Sequence, residues 1–188
     1  MRYAPPRLSN AMRLRRTPLL AAALVACSLI LAARAQPADS AATVVIVVRH
    51  AEVDADGSRD PALSDAGRAR ADALAGSLAA ARVRAVYSTG FARTRATAAP
   101  AARTAGVDVT VTDVTATSLG TYGADLARRI LAEHRGETVL VVGHSNTVPA
   151  LVEALGGGRV TLGEAEFDRV FVLVVPASGP ARVVAARY

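Results

Sequence analysis

The chain contains no lysine, and its only cysteine is Cys27. Without lysine there is no side-chain amine to act as a nucleophile or to form a Schiff base. A lone cysteine rules out a framework of internal disulfides. No apolar run is long enough to be a confident membrane span, since the longest, Leu19 to Ala32, has fourteen residues where a spanning helix needs about twenty. Acidic residues are missing altogether from positions 1–35, which hold Arg2, Arg7, Arg13, Arg15, Arg16 and Arg34. Those six account for the whole formal charge of +6, because the other 16 basic residues are matched by 16 acids. The excess charge therefore belongs to the leader, and a nucleic-acid-binding reading loses its main support.

The leader has the parts of a secretory signal: a basic stretch ending at Arg15-Arg16, an apolar segment, then Ala33-Arg34-Ala35 with small residues at −3 and −1 before Gln36. Cleavage after Ala35 leaves 153 residues, one domain's worth, and no cysteine. The alternative is lipidation of Cys27, because Leu24-Val25-Ala26-Cys27 looks like a bacterial lipobox, although Ser28-Leu29-Ile30-Leu31 continues the apolar run past it. Either route predicts an exported protein, periplasmic or secreted, touching a membrane only through its leader or a lipid on Cys27. Residues 36–42 read as a short polar lead-in and 43–188 as a single domain.

Two apolar runs rich in β-branched residues, Thr43–Val48 and Thr138–Val142, are each followed at once by a histidine motif: Arg49-His50-Ala51-Glu52 and Gly143-His144-Ser145-Asn146. Such runs predict strands buried on both faces of a parallel sheet. The C-terminal ends of such strands are where open α/β sheets place their ligands. Between them, Ser64 caps a helix predicted from Asp65 to about Ala81, 84–87 reads as a strand, 91–104 as a helix and 107–111 as a third strand. A helix over 123–133, another over 147–155 and a final hairpin of 170–175 with 181–186 complete the layout. The expectation is an α/β fold: three-layer α/β/α, with a mainly parallel central sheet and an antiparallel edge hairpin at the C-terminus.

Four ordered pieces carry a family resemblance: Arg49-His50-Ala51-Glu52, Leu63-Ser64-Asp65-Ala66-Gly67, Tyr87-Ser88 with Arg93-Thr94 and Thr97, and Gly143-His144-Ser145-Asn146. In order and spacing the chain resembles the histidine phosphatase superfamily, also called phosphoglycerate mutase-like, and within it the small single-domain members. The resemblance makes His50 the residue that becomes phosphohistidine and Arg49 a holder of the phosphate. Arg93, rather than Arg95, falls at the family's second arginine position, where a planar fork matches phosphate oxygens. His144 would donate to the transferring group, most usefully when protonated, a state that adjacent carboxylates would favour. Ser145 and Asn146 would sit at a helix N-terminus, which favours anions. Glu52 would hydrogen-bond a pocket arginine or else stand exposed. Thr94 and Thr97 read as helix-packing residues, and His134 as a surface residue.

A leaving alkoxide needs a proton. Asp113, just after the third strand, is the candidate general acid, with Asp54, Asp56 and Asp60 behind it. The region after the second helix is short, as in small family members that dephosphorylate protein phosphohistidine, whose imidazole leaves more easily. The expected activity is metal-independent and cofactor-free hydrolysis of a small phosphorylated substrate. The alternatives are a mutase-type phosphotransferase, disfavoured by the short insertion, and a binding module that holds a phosphorylated ligand without turnover. A serine hydrolase is disfavoured because Gly143-His144-Ser145-Asn146-Thr147 lacks the second glycine of a nucleophile elbow. A zinc site on His50, Glu52 and His144 lacks the helical two-histidine spacing.

Overall fold

The structure, a computed structural model, describes Met1 and residues 41–188. The leader, its cleavage site, Cys27 and most of the lead-in lie outside the described residues. The elements run β1 (Thr43–Arg49), α1 (Asp65–Leu78), β2 (Val83–Ser88), α2 (Ala92–Ala105), β3 (Val109–Val111), α3 (Tyr122–Glu133), β4 (Thr138–Gly143), α4 (Thr147–Ala154), β5 (Arg169–Val175) and β6 (Arg182–Arg187). The six strands form one sheet in the order β3-β2-β4-β1-β5-β6. The first four are parallel neighbours, whereas β5 runs antiparallel to both β1 and β6. The expected three-layer fold with its C-terminal hairpin is what the chain adopts.

Strand alternation builds two cores from one sequence. Val45, Val47, Val139 and Val141 face α3 and α4, where they meet Leu126, Ile130, Leu151 and Val152. Ile46, Val48, Leu140 and Val142 face α1 and α2, where they meet Leu74, Ala75, Ala98 and Ala101. Both sides of β1 and β4 are thus covered, which is why these strands read as unbroken apolar runs. The alanine-rich α1 and α2 carry short side chains, so they lie close to each other and to the sheet.

The site's position follows from the topology. The helix after β1 packs on one face and the helix after β4 on the other, so the crevice between these neighbouring strands opens at their C-terminal ends. Arg49 and Gly143 are register partners there, and His50 N–H donates to Gly143 O at 2.9 Å.

Two close approaches fix the loops at this end. A Cβ on Gly67 would lie 2.0 Å from the backbone oxygen of Glu52, so the loop leaving β1 rests directly on α1. Ser64 N–H donates to the same oxygen, and its hydroxyl accepts from Gly67 N–H at 3.1 Å, capping the helix. Gly143 has the same role across the crevice, where a Cβ would meet Thr147 Oγ1 at 2.6 Å.

Candidate active site

A cavity of about 520 Å³ opens at the C-terminal ends of β1 and β4, a size usual for small-molecule sites. Arg49, His50, Arg93, His144, Ser145 and Asn146 all line it, so the end of β1, the start of α2 and the turn between β4 and α4 deliver six of the expected residues to one place.

His50 is buried, and its Nδ1 lies 2.8 Å from Ala51 O. A carbonyl only accepts, so Nδ1 carries the proton and the lone pair is on Nε2. Burial lowers the His50 pKa to about 4. The Ala51 bond opposes the shift, and the positive charges of Arg49 and Arg93 add to it. The ring is therefore neutral at pH 7. Ala51 N–H in turn donates to Thr97 Oγ1 at 3.0 Å, and Thr97 donates to Arg93 O at 2.8 Å. Thr97, read from the sequence as a packing residue, thus ties the backbone beside His50 to the first turn of α2.

Arg49 is also buried. One terminal nitrogen donates to Gly163 O and Glu164 O at 3.0 and 2.9 Å, and the guanidinium lies 4.4 Å from the centre of the Phe167 ring. Its Nε is buried without a hydrogen-bond partner. A buried unpaired donor costs about 1–3 kcal/mol, more when charged. Arg93 reaches the cavity from the start of α2. It lies 3.3 Å from Asp60 Oδ1, and its guanidinium sits over the Phe91 ring at 4.3 Å. Arg95 stays exposed.

His144 stands with its ring centre 5.3 Å from that of His50. Its Nε2 is 2.8 Å from Thr89 Oγ1, and its backbone N–H donates to Thr147 Oγ1 at 2.8 Å. The expectation that nearby carboxylates keep it charged is reversed. Burial lowers its pKa to about 4, His50 and the two arginines push the same way, and Asp60 is the weak opposing carboxylate.

Thr89, which the sequence reading left without a role, is fully buried and bridges His144 to Thr94 Oγ1 at 2.8 Å. Thr94 spends its own proton on the carbonyls of Thr89 and Phe91. Thr89 can then donate to Thr94 and accept from His144 Nε2–H, which sets the imidazole tautomer. The signal for it was a hydroxyl residue directly after Ser88 at the end of β2.

Three expected placements are corrected. Glu52 does not hold a pocket arginine: its carboxylate takes Arg70 of α1 in a forked pair at 2.6–2.9 Å, which lowers its pKa. It steadies the loop after His50 from outside the cavity. Asp113 does not line the cavity; it is exposed, with its carboxylate packed against Gly90. The backup candidate Asp60 accepts from Ala92 N–H with both oxygens, at 3.0 and 2.9 Å, so it caps α2 and positions Arg93. His134 is not a free surface residue: it is half-buried, with Nε2 at 2.9 Å from the Tyr87 hydroxyl and Nδ1 at 2.9 Å from Glu137. No carboxylate lines the cavity among the described residues.

Fold and site together define a class: a parallel α/β sheet presenting two histidines and two arginines at the ends of adjacent strands, the arrangement of the histidine phosphatase fold. A sequence model of branch 1 of the histidine phosphatase superfamily matches residues 45–114, a span that holds three of the four ordered motifs. No curated protein matches the chain. Among solved structures it is similar to the protein histidine phosphatase SixA bound to tungstate, with 18% identity, 77% of this chain and 96% of that one covered, and a TM-score of 0.61. It is similar also to a phosphoserine phosphatase from Entamoeba histolytica in complex with 3-phosphoglyceric acid, with 15% identity, coverage of 78% and 97%, and a TM-score of 0.59. A mycobacterial glucosyl-3-phosphoglycerate phosphatase has 17% identity, coverage of 78% and 98%, and a TM-score of 0.56. At these identities the likeness is one of fold.

Proposed function

We propose that the protein is an exported phosphatase that hydrolyses a small phosphorylated substrate through a phosphohistidine on His50, without a metal ion. One observation carries the reading: His50 has Nδ1 committed to Ala51 O, and its ring lines the same cavity as the guanidinium side chains Arg49 and Arg93. A neutral imidazole with one nitrogen fixed is a nucleophile at the other, and the planar fork of a guanidinium fits phosphate oxygens. Neighbours of the same fold that act on phosphoserine or glucosyl-3-phosphoglycerate support a small phosphorylated substrate.

In the mechanism, Nε2 of His50 attacks phosphorus while the bond to the leaving oxygen breaks. Arg49 and Arg93 spread their charge over the equatorial oxygens. A bound dianion adds negative charge beside His144 and raises its pKa, so His144 gains a proton and becomes a donor to the transferring group. The leaving oxygen takes a proton from His144 or from solvent, since no carboxylate of the described residues lines the cavity. Water then attacks phosphorus, the N–P bond breaks, and inorganic phosphate departs with His50 neutral again.

The test is rapid quench with a phosphorus-labelled aryl phosphate, followed by peptide mapping. Acid-labile label on His50, with His50→Ala folded but without label or turnover, is the expected result. Reversible phosphate binding with no label and no turnover would make the chain a binding module instead. Export is tested by fractionating cells that express the full chain.

A further inference from the structure

The cavity has two chemically distinct sides. Arg49, His50, Arg93 and His144 form the side that takes a phosphoryl group. Ser145, Asn146 and Thr147 follow His144 at the start of α4 and add polar groups to that side, and what is left of the wall is mostly apolar: Phe91, Val114, Ala116 and Leu119, with Thr115 among them. Phe91 and Leu119 are 36% and 41% exposed, two of the six exposed large apolar side chains of the described residues. Apolar side chains left open at a cavity mouth are a usual mark of a surface that meets a ligand.

The charged side chains of the lining are those already assigned to the phosphoryl group. Arg49 is held by two backbone carbonyls and Phe167, and Arg93 by Asp60 and Phe91. A second anionic group on a substrate would find no further arginine in the lining, and the carboxylates at its edge, Asp60 and Glu164, are already paired with Arg93 and Arg49. Leaving a second charge buried and unpaired is costly, whereas an uncharged hydrocarbon loses nothing by entering.

We propose that this wall is the leaving-group subsite and that it selects an uncharged apolar group. The favoured substrates are then phosphate monoesters of alkyl or aryl alcohols, not phosphorylated carboxylic or amino acids. This rests on the phosphatase reading for the reaction, but the recognition itself needs no turnover. It is also a departure from the solved neighbours, whose ligands include 3-phosphoglyceric acid.

Calorimetry with non-hydrolysable phosphonates on the full chain tests it. Methyl-, propyl- and hexylphosphonate should bind progressively tighter. A fully buried methylene is worth about fourfold, so an open cavity should give about twofold per methylene until the chain passes the rim. A terminal carboxylate on the propyl chain should cancel the gain. In Leu119→Ser, on an exposed turn whose change leaves the core intact, the ratio of methyl to hexyl Kd should fall towards one. A Kd independent of chain length, tighter binding of the carboxylate compound, or an unchanged ratio in Leu119→Ser would each overturn the proposal. Length-dependent binding without label on His50 would sink the phosphatase reading and leave the subsite standing. Label on His50 with flat phosphonate binding would do the reverse.

Discussion

An imidazole attacks phosphorus only when neutral, so the site's first requirement is a histidine that resists protonation. His50 and His144 are both held to a pKa of about 4, chiefly by burial. In the unfolded chain each returns to near 6.5 and binds more protons than in the fold throughout the range from 6.5 down to 4. Stability therefore falls as pH drops through that window and is fully present above it. Bound phosphate has the opposite effect, because its charge favours the imidazolium. The expected outcome of an NMR titration of the imidazole signals, assigned with His50→Ala, is that both rings stay neutral at pH 5.5. Added phosphate should move their titration upward. Titration of both near 6.5 without phosphate would contradict the burial argument. Much of this residue-level chemistry was legible in the motifs, since Arg49, His50, Arg93 and His144 all reach the cavity. What was not legible depends on partners far off in sequence. Glu52 meets Arg70, eighteen residues on; His134 meets Tyr87, forty-seven residues back; Thr89 meets His144, fifty-five residues on.

Elements are easier to read than contacts because periodicity is local. The two-sided burial of β1 and β4 is written in their runs of valine, and a mainly parallel sheet follows once alternating β and α units demand crossovers, whereas the order of the strands comes only from the structure. Asp113 shows the limit. Its place after β3 is correct as an element boundary, but the turn that follows carries Val114, Thr115 and Ala116 to the cavity and leaves Asp113 against Gly90. The Leu63-to-Gly67 segment shows the gain from structure. Its serine was legible as a cap, whereas the need for glycine arises from a loop resting on α1. Gly67→Ala should place a methyl group into the Glu52 backbone oxygen and force the loop away. Overpacking of this kind costs about 1–3 kcal/mol. The displaced loop leads straight back to Ala51 and His50, so activity should fall further than stability alone explains. Urea unfolding together with kcat/KM on the folded fraction checks this; an unchanged midpoint would show that the loop moves freely.

At the scale of the molecule, charge decides how an anion is handled. Beyond residue 35 the 16 arginines equal the 16 acids, so no broad positive field draws phosphate in from a distance. Many of the arginines are also paired locally, as with Arg128 and Asp125, Arg129 and Glu133, and Arg187 with Asp168. Attraction has to arise inside the cavity, where Arg49 and Arg93 stand in a partly buried, weakly screened setting. On the proposed mechanism those two guanidinium groups, with His144 once an anion charges it, supply the positive charge that a divalent ion supplies in metallophosphatases. No group of three or more His, Cys, Asp or Glu side chains among the described residues is arranged to hold an ion. Two consequences can be measured together on the full chain. Turnover of an aryl phosphate should be unaffected by a strong chelator, and kcat/KM should decline only weakly as salt rises, since short-range contacts outweigh steering. Loss of turnover in chelator, restored by zinc or magnesium, would move the chemistry to a metal-dependent class. A steep salt dependence would instead show that charges outside the cavity guide the substrate, with the arginine-rich leader as the first segment to remove.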